Sequence, residues 1–313
     1  MSMPALSAIL LAVLTVLALA LITVPPADIS SRELTRAERK AIARETAAAS
    51  GTPSPTAPAT QDGTEAPAAT AGTPATASVI PPGGAFGFPT NVPEGSTEFG
   101  IDVSHYNIQK GNAKINITWA DVAQSKVAYV YIKASQGRTV KDSEFDTSWN
   151  EAGKAKIPRG AYHFLSALSD PAAQARFFLS VYDARSSSDL PPVLDVEWDY
   201  TEKKVDRWEQ KTPAQIVAAV DTWMRAVALA TGQTPVIYTN RDWWTARIGD
   251  AGADLGKRYP VWLADYTAAP TDSGSAPAAL EGFNTVMWQF TDKGAVPGVS
   301  GDVDVNVRVQ PTR

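Results

Sequence analysis

The stretch "PPVLDVEWD", residues 191–199, places Asp195 and Glu197 two positions apart at the end of a run that otherwise reads as a buried strand. Side chains at i and i+2 of a strand share one face, with Cα atoms roughly 6.6 Å apart, so the two carboxylates aim the same way. Like charges this close repel, and burial beside Trp198 disfavours charge further. One of the pair is therefore expected to hold its proton to unusually high pH, the property that a general acid for glycosidic cleavage requires. A structural ion pair or a strand-end cap uses the same residue types, and the D-x-E pattern alone favours that plainer role.

The runs around this one set the fold. Short β-branched or aromatic segments recur at 98–104 (EFGIDVS), 127–135 (VAYVYIKAS), 159–165 (RGAYHFL), 191–197, 234–240 (TPVIYTN), 259–265 (YPVWLAD), 285–291 (TVMWQFT) and 302–309 (DVDVNVRV). Helical patterns fit about 117–125, 144–156, 170–186, 212–231 and 242–256. The fourth opens on Thr212 as N-cap, Pro213 at the first helical position and Gln215 three residues on, a capping-box signature. Strands that alternate with helices only through the first five predict an α/β chain, an irregular TIM-like (β/α)5(β)3 barrel. Active sites in such barrels gather at the C-terminal strand ends.

Other carboxylates fall at candidate strand ends, Asp102 in the first strand and Asp304 in the last, and a closed barrel makes those two strands neighbours. Aromatic and ring-bearing residues gather at the same ends: Tyr106, Tyr162, His163, Trp198, Tyr238, Trp262, Tyr266 and Trp288. Sugars present apolar C–H faces to such rings and need a few fixed polar partners for their hydroxyl and acetamido groups. Each ring taken alone fits a core position better than a ligand platform.

Composition narrows the chemistry. The 313-residue chain has a formal charge of −5 and no basic excess to hold a nucleic acid. It has no cysteine and two histidines, His105 and His163, which exclude disulfides and thiolate metal sites and disfavour a histidine-rich one. No metal or cofactor is expected, and hydrolysis would rest on carboxylates.

Three regions divide the chain. Residues 1–27 carry an uncharged apolar stretch at 4–24, about the 20 residues that span a bilayer, and are expected to be a signal peptide or a membrane anchor. Ala18-Leu19-Ala20 resembles a cleavage site, while Arg32, Arg36, Arg39, Lys40 and Arg44 lie just after the span, where the positive-inside tendency opposes export. Residues 28–95 read as a short helical segment and then an Ala/Thr/Pro-rich linker, too poor in large apolar groups to pack, that would act as a tether. All nine Trp lie in residues 96–313, the expected catalytic domain.

The motifs "GIDVSHYN", "YIKASQG", "GAYHF", "LDVE", "VIYTN", "VWLADY" and "MWQFTDKGAVPGVSGDVDVN", in this order across about 99–307, resemble those of the glycoside hydrolase family 25 lysozymes. The resemblance implies an N-acetylmuramidase that cleaves the β-1,4 bond between N-acetylmuramic acid and N-acetylglucosamine in peptidoglycan. By the same resemblance Glu197 is the catalytic acid, Asp195 its partner, and Asp102 and Asp304 the acids of the first and last strands. Tyr162, Trp262, Trp288 and Gln289 would line the sugar groove, with Tyr106, His163, Trp198 and Tyr238 added from their strand-end positions. Gln136 departs from the pattern, standing where an acid is common, and Arg308-Val309 replaces a terminal aromatic. An inactive wall-binding barrel and a chitinase-like glycosidase are the competing expectations. The substrate places the domain outside the cytoplasmic membrane, as a monomer acting on glycan strands.

Overall fold

The computed structural model describes residues 98–110, 113–114, 117–183, 186, 188–267 and 282–308; the expected apolar N-terminal segment and linker lie outside them. Eight strands form a closed barrel in chain order: β1 (Phe99–Val103), β2 (Val127–Gln136), β3 (Arg159–Phe164), β4 (Val193–Asp195), β5 (Val236–Asn240), β6 (Val261–Ala264), β7 (Thr285–Gly294) and β8 (Val303–Arg308). Pairing is parallel from β1 through β7, and β8 closes the barrel by lying antiparallel to both β7 and β1. Eight residues, 295–302, join β7 to β8. A parallel return needs a crossover of about a dozen residues or more, so this connection can only reverse the chain.

Helices fill the first five connections: α1 (Trp119–Gln124), α2 (Phe145–Lys154), α3 (Pro171–Val181), α4 (Pro213–Thr231), and α5 (Arg241–Arg247) with α6 (Ala253–Arg258). The expected (β/α)5(β)3 plan is therefore the observed one, except that the single helix read at 242–256 is broken by a 3-10 turn at Gly249–Gly252, where Gly249 takes φ +53°. The Thr212 capping box is present with both reciprocal hydrogen bonds, and α4 ends on Gly232 at φ +71°. Ile216, Val220, Trp223, Met224 and Val227 recur at helical spacing on α4, and all are buried.

Alternation along the strands separates two cores. The outward residues pack under the helices. The inward ones, including Tyr129, Tyr131, Tyr162, Val193, Val236, Tyr238, Trp262, Ala264 and Met287, fill the barrel axis. The rings interlock there, with Trp262 centred 5.1 Å from Tyr131 and 5.0 Å from Tyr238. The Arg308 guanidinium sits 4.7 Å from the Tyr129 ring centre, an electrostatically favourable seat for a cation.

These rings need glycines opposite them. A Cβ on Gly100 would lie 2.2 Å from the Tyr129 ring, and one on Gly160 would lie 2.2 Å from the Tyr131 ring. Because Tyr129 is wedged between Tyr131 and Arg308, it has little room to withdraw. Gly100→Ala should lower stability by about 1–3 kcal/mol through overpacking, measured by urea or thermal unfolding.

Candidate active site

The mouth of the barrel is formed by the C-terminal ends of the parallel strands and, because β8 runs in reverse, by the start of β8. Asp102 near the end of β1 stands opposite Asp304, the second residue of β8, in the antiparallel ladder, so the two share one face. Asp195 is the last residue of β4. Glu197 lies two residues beyond it, past the strand's end, although Val196 still donates its N–H to the Tyr238 carbonyl. The strand starts at Val193 instead of the expected 191 because Pro191 and Pro192 have no N–H to give a ladder, and it ends at Asp195, two residues before the expected 197. Asp102, Asp195 and Glu197 are all buried, and Asp304 is half-buried.

The carboxylate of Asp102 is held by amides. Its Oδ2 accepts from Gln289 Nε2 at 2.7 Å and from Asn306 Nδ2 at 2.9 Å. Gln289 Oε1 accepts from the Tyr238 hydroxyl at 2.9 Å and from the Tyr266 hydroxyl, while Asn306 Oδ1 accepts from Trp262 Nε1 at 2.9 Å. Tyr162, Tyr238, Trp262 and Gln289 all lie on the inward face: Tyr162 is level with Val193, Tyr238 with Trp262, and Gln289 with Asn306.

The segment after β4 is fixed from outside the barrel. Trp208 donates its indole N–H to the Glu197 carbonyl at 2.9 Å. Asp206 caps the short 3-10 turn carrying Trp208, and its Oδ1 accepts from the backbone N–H of both Trp208 and Asp199. Its other oxygen pairs with Arg247 Nε at 2.7 Å, and that guanidinium lies 5.1 Å from the Trp198 ring centre. Burial raises the Asp206 carboxyl above its ordinary value, opposed by the hydrogen bond and charge of Arg247. Asp199 reaches across to Ala167 N–H after β3 and to Arg207. Trp198 is buried and stacked on Tyr200 at 5.7 Å, within this support rather than inside the barrel.

Two residues expected to line the groove face the other way. His163 is adjacent to the inward Tyr162 and so points outward, where its ring stacks on Trp223 of α4. Gln174 of α3 gives its Nε2 to the Ser166 and Ser169 carbonyls, so its Oε1 accepts from His163 Nε2, and His163 Nδ1 takes the Ser135 hydroxyl. The ring is a neutral core histidine. Trp288 is likewise on the outward parity of β7, opposite Val307, fully buried against Phe290 and donating to the Asp265 carbonyl. The resemblance suggests the groove for Trp288 and strand-end position suggests it for His163, whereas the pleat turns both outward.

Tyr106 is half-buried on the helical turn after β1, its ring 3.9 Å from that of His105, which bonds Asp142 at 2.7 Å. Gln136, which stands where the family commonly has an acid, accepts from the buried Lys133 ammonium at 2.7 Å. Sequence reasoning left out Asn306, Trp208, Asp206 and Arg247. Asn306 was the legible one, since it stands two residues after Asp304, the same spacing that singled out Asp195 and Glu197.

Residues 101–299 match the model of the glycosyl hydrolases family 25. The chain belongs to family 25. Lysozyme M1 of Streptomyces globisporus is 33% identical over 66% of this chain and 66% of its own length, and an uncharacterized Escherichia coli K12 protein, YegX, is 29% identical over 70% and 72%. The bacterial lysozyme of Streptomyces coelicolor superposes with a TM-score of 0.57 at 32% identity, covering 68% of this chain and 92% of that structure. The family 25 barrel described above is thus that of a glycoside hydrolase of the lysozyme type.

The neutral His163 makes stability depend on pH. Burial pushes its pKa from 6.5 down to about 3. Below pH 6.5 the unfolded chain takes up a proton that the folded ring refuses, so stability is full above that pH and falls as pH drops toward 3. The loss reaches up to about 4–5 kcal/mol. In urea melts between pH 7 and pH 4, His163→Gln should lack this component of the slope.

Proposed function

We propose that the chain hydrolyses the β-1,4 bond between N-acetylmuramic acid and N-acetylglucosamine in peptidoglycan, with retention of configuration. The observation that carries this reading is the meeting of buried Asp102, Asp195 and Glu197 with half-buried Asp304 at one end of a barrel whose relatives include a lysozyme. A wall-binding barrel has no need to bury several carboxylates, which is costly unless they are used or compensated.

In this reading Glu197 protonates the leaving glycosidic oxygen and later takes a proton from water. An inverting enzyme sets its base about 6.5–9.5 Å from its acid, across the sugar. Asp195 belongs to the same strand end as Glu197 and suits a different role, in which it orients the substrate's own acetamido group and balances its charge as the carbonyl oxygen attacks the anomeric carbon. Asp304, on the opposite wall of the mouth, is the base that an inverting route would use. Tyr162, Tyr238, Trp262 and Gln289 form the inner wall, with Tyr106 at the rim. Because the substrate is extracytoplasmic, the domain acts outside the membrane, carried by the preceding linker.

Digestion of purified peptidoglycan, with mass spectrometry of the fragments, tests the bond cut: new reducing ends on N-acetylmuramic acid support the reading, and cleavage of chitin alone overturns it. NMR of the first product formed in deuterated buffer should show the β anomer; the α anomer would assign the base role to Asp304. Glu197→Gln keeps shape and hydrogen bonding but cannot donate a carboxylic proton. It should fold, pull down with insoluble peptidoglycan, and lose about 10²- to 10⁴-fold in turnover.

A further inference from the structure

We propose that Asn306 is a positioning residue for the reaction: with Gln289 it forms a two-amide clamp, oriented from behind by Trp262, Tyr238 and Tyr266, that fixes Oδ2 of Asp102 as a hydrogen-bond acceptor. The inference rests on the reading of Asp102 as a reacting-site carboxylate and adds to it what holds that group in place.

The orientation follows from donor and acceptor inventory. An indole N–H can only donate. The Asn306 atom 2.9 Å from Trp262 Nε1 is therefore the amide oxygen, and the atom 2.9 Å from Asp102 Oδ2 is the NH2. On the other side two tyrosine hydroxyls converge on one Gln289 oxygen, which turns that NH2 toward the same Asp102 oxygen at 2.7 Å. An NH2 only donates, so both amides require an acceptor at Oδ2. Asn306, Gln289, Tyr238 and Trp262 are all fully or almost fully buried, so water does not compete for these bonds. The clamp draws on β1 for the carboxylate, on β7 and β8 for the amides, and on β5, β6 and the residues just after β6 for the anchoring donors. Both amides direct their NH2 at Asp102, so the clamp acts on the reaction through that carboxylate.

Asn306→Asp tests the clamp because it keeps size and changes only what the group can do. The titratable and charged groups around it are Asp102 on β1, Asp304 and Arg308 on β8, and Tyr238 and Tyr266 through Gln289. Where the introduced group is ionised it faces Asp102 with no proton to donate, and turnover should fall about 10- to 100-fold, the range for losing a hydrogen bond to a charged group; burial and the facing Asp102 carboxylate raise its pKa, so this loss is read on the alkaline side. Where it is protonated its O–H again donates, so turnover relative to wild type at the same pH should rise about tenfold or more from about pH 9 toward pH 4.5. Substitution that merely loosened the barrel would instead show a ratio flat in pH or worsening toward acid. That result overturns the proposal. Gln289→Glu makes the same test from the other amide and serves if Asn306→Asp does not fold, with circular dichroism confirming the fold at each pH. Asp102→Asn separates the two layers: if it is impaired while both acid-for-amide variants track wild type, the clamp alone is wrong. If Asp102→Asn turns over normally, the role of Asp102 falls and the clamp's role falls with it.

Discussion

The short connection from β7 to β8 constrains everything at the mouth. With eight residues between the strands, the chain has no length for a crossover, and β8 must run against its neighbours. In a uniformly parallel barrel the last strand would bring its end to the active face. Here it brings its beginning, and Asp304 and Asn306 stand level with Asp102 on β1 and Gln289 on β7. The reversal also supplies the antiparallel ladder to β1 that closes the barrel. The geometry of closure and the geometry of the site are thus set by the same short stretch of chain.

The second requirement is that buried charge be compensated. Asp102 meets it with two neutral amides whose far ends are tied to aromatic donors, so the aromatic filling of the axis is also the polar support of the site. On the other wall, the segment bearing Glu197 is held at its backbone by Trp208 and braced by Asp206 and Arg247. The two supports come from opposite sides, one from within the barrel and one from the layer beyond it.

Much of this was legible in the sequence because periodicity survives folding. The strand runs, the alternation with helices that stops after the fifth strand, and the Thr212 capping box are local patterns, and local patterns were enough for the barrel. What a pleat does to neighbouring residues was equally available: His163, expected inside from its strand-end position, and Trp288, expected inside from the family resemblance, each adjoin an inward residue and so face out. Trp208, Asp206 and Arg247 were beyond local reading. Their partners are 11, 7 and 41 residues away in sequence, and only the folded loop brings them together. The departure at Gln136 could be seen but not interpreted until Lys133 was found buried beside it.

The rings stacked along the barrel axis have a consequence for how a polymer can be handled. Tyr129, Tyr131, Trp262 and Met287 stop the axis, and Gly100 and Gly160 let those rings seat without a gap. A strand of sugars cannot be drawn through the molecule in the manner of thread through a bead. Any such strand must lie across the mouth, outside the barrel wall, with the filled axis as its floor.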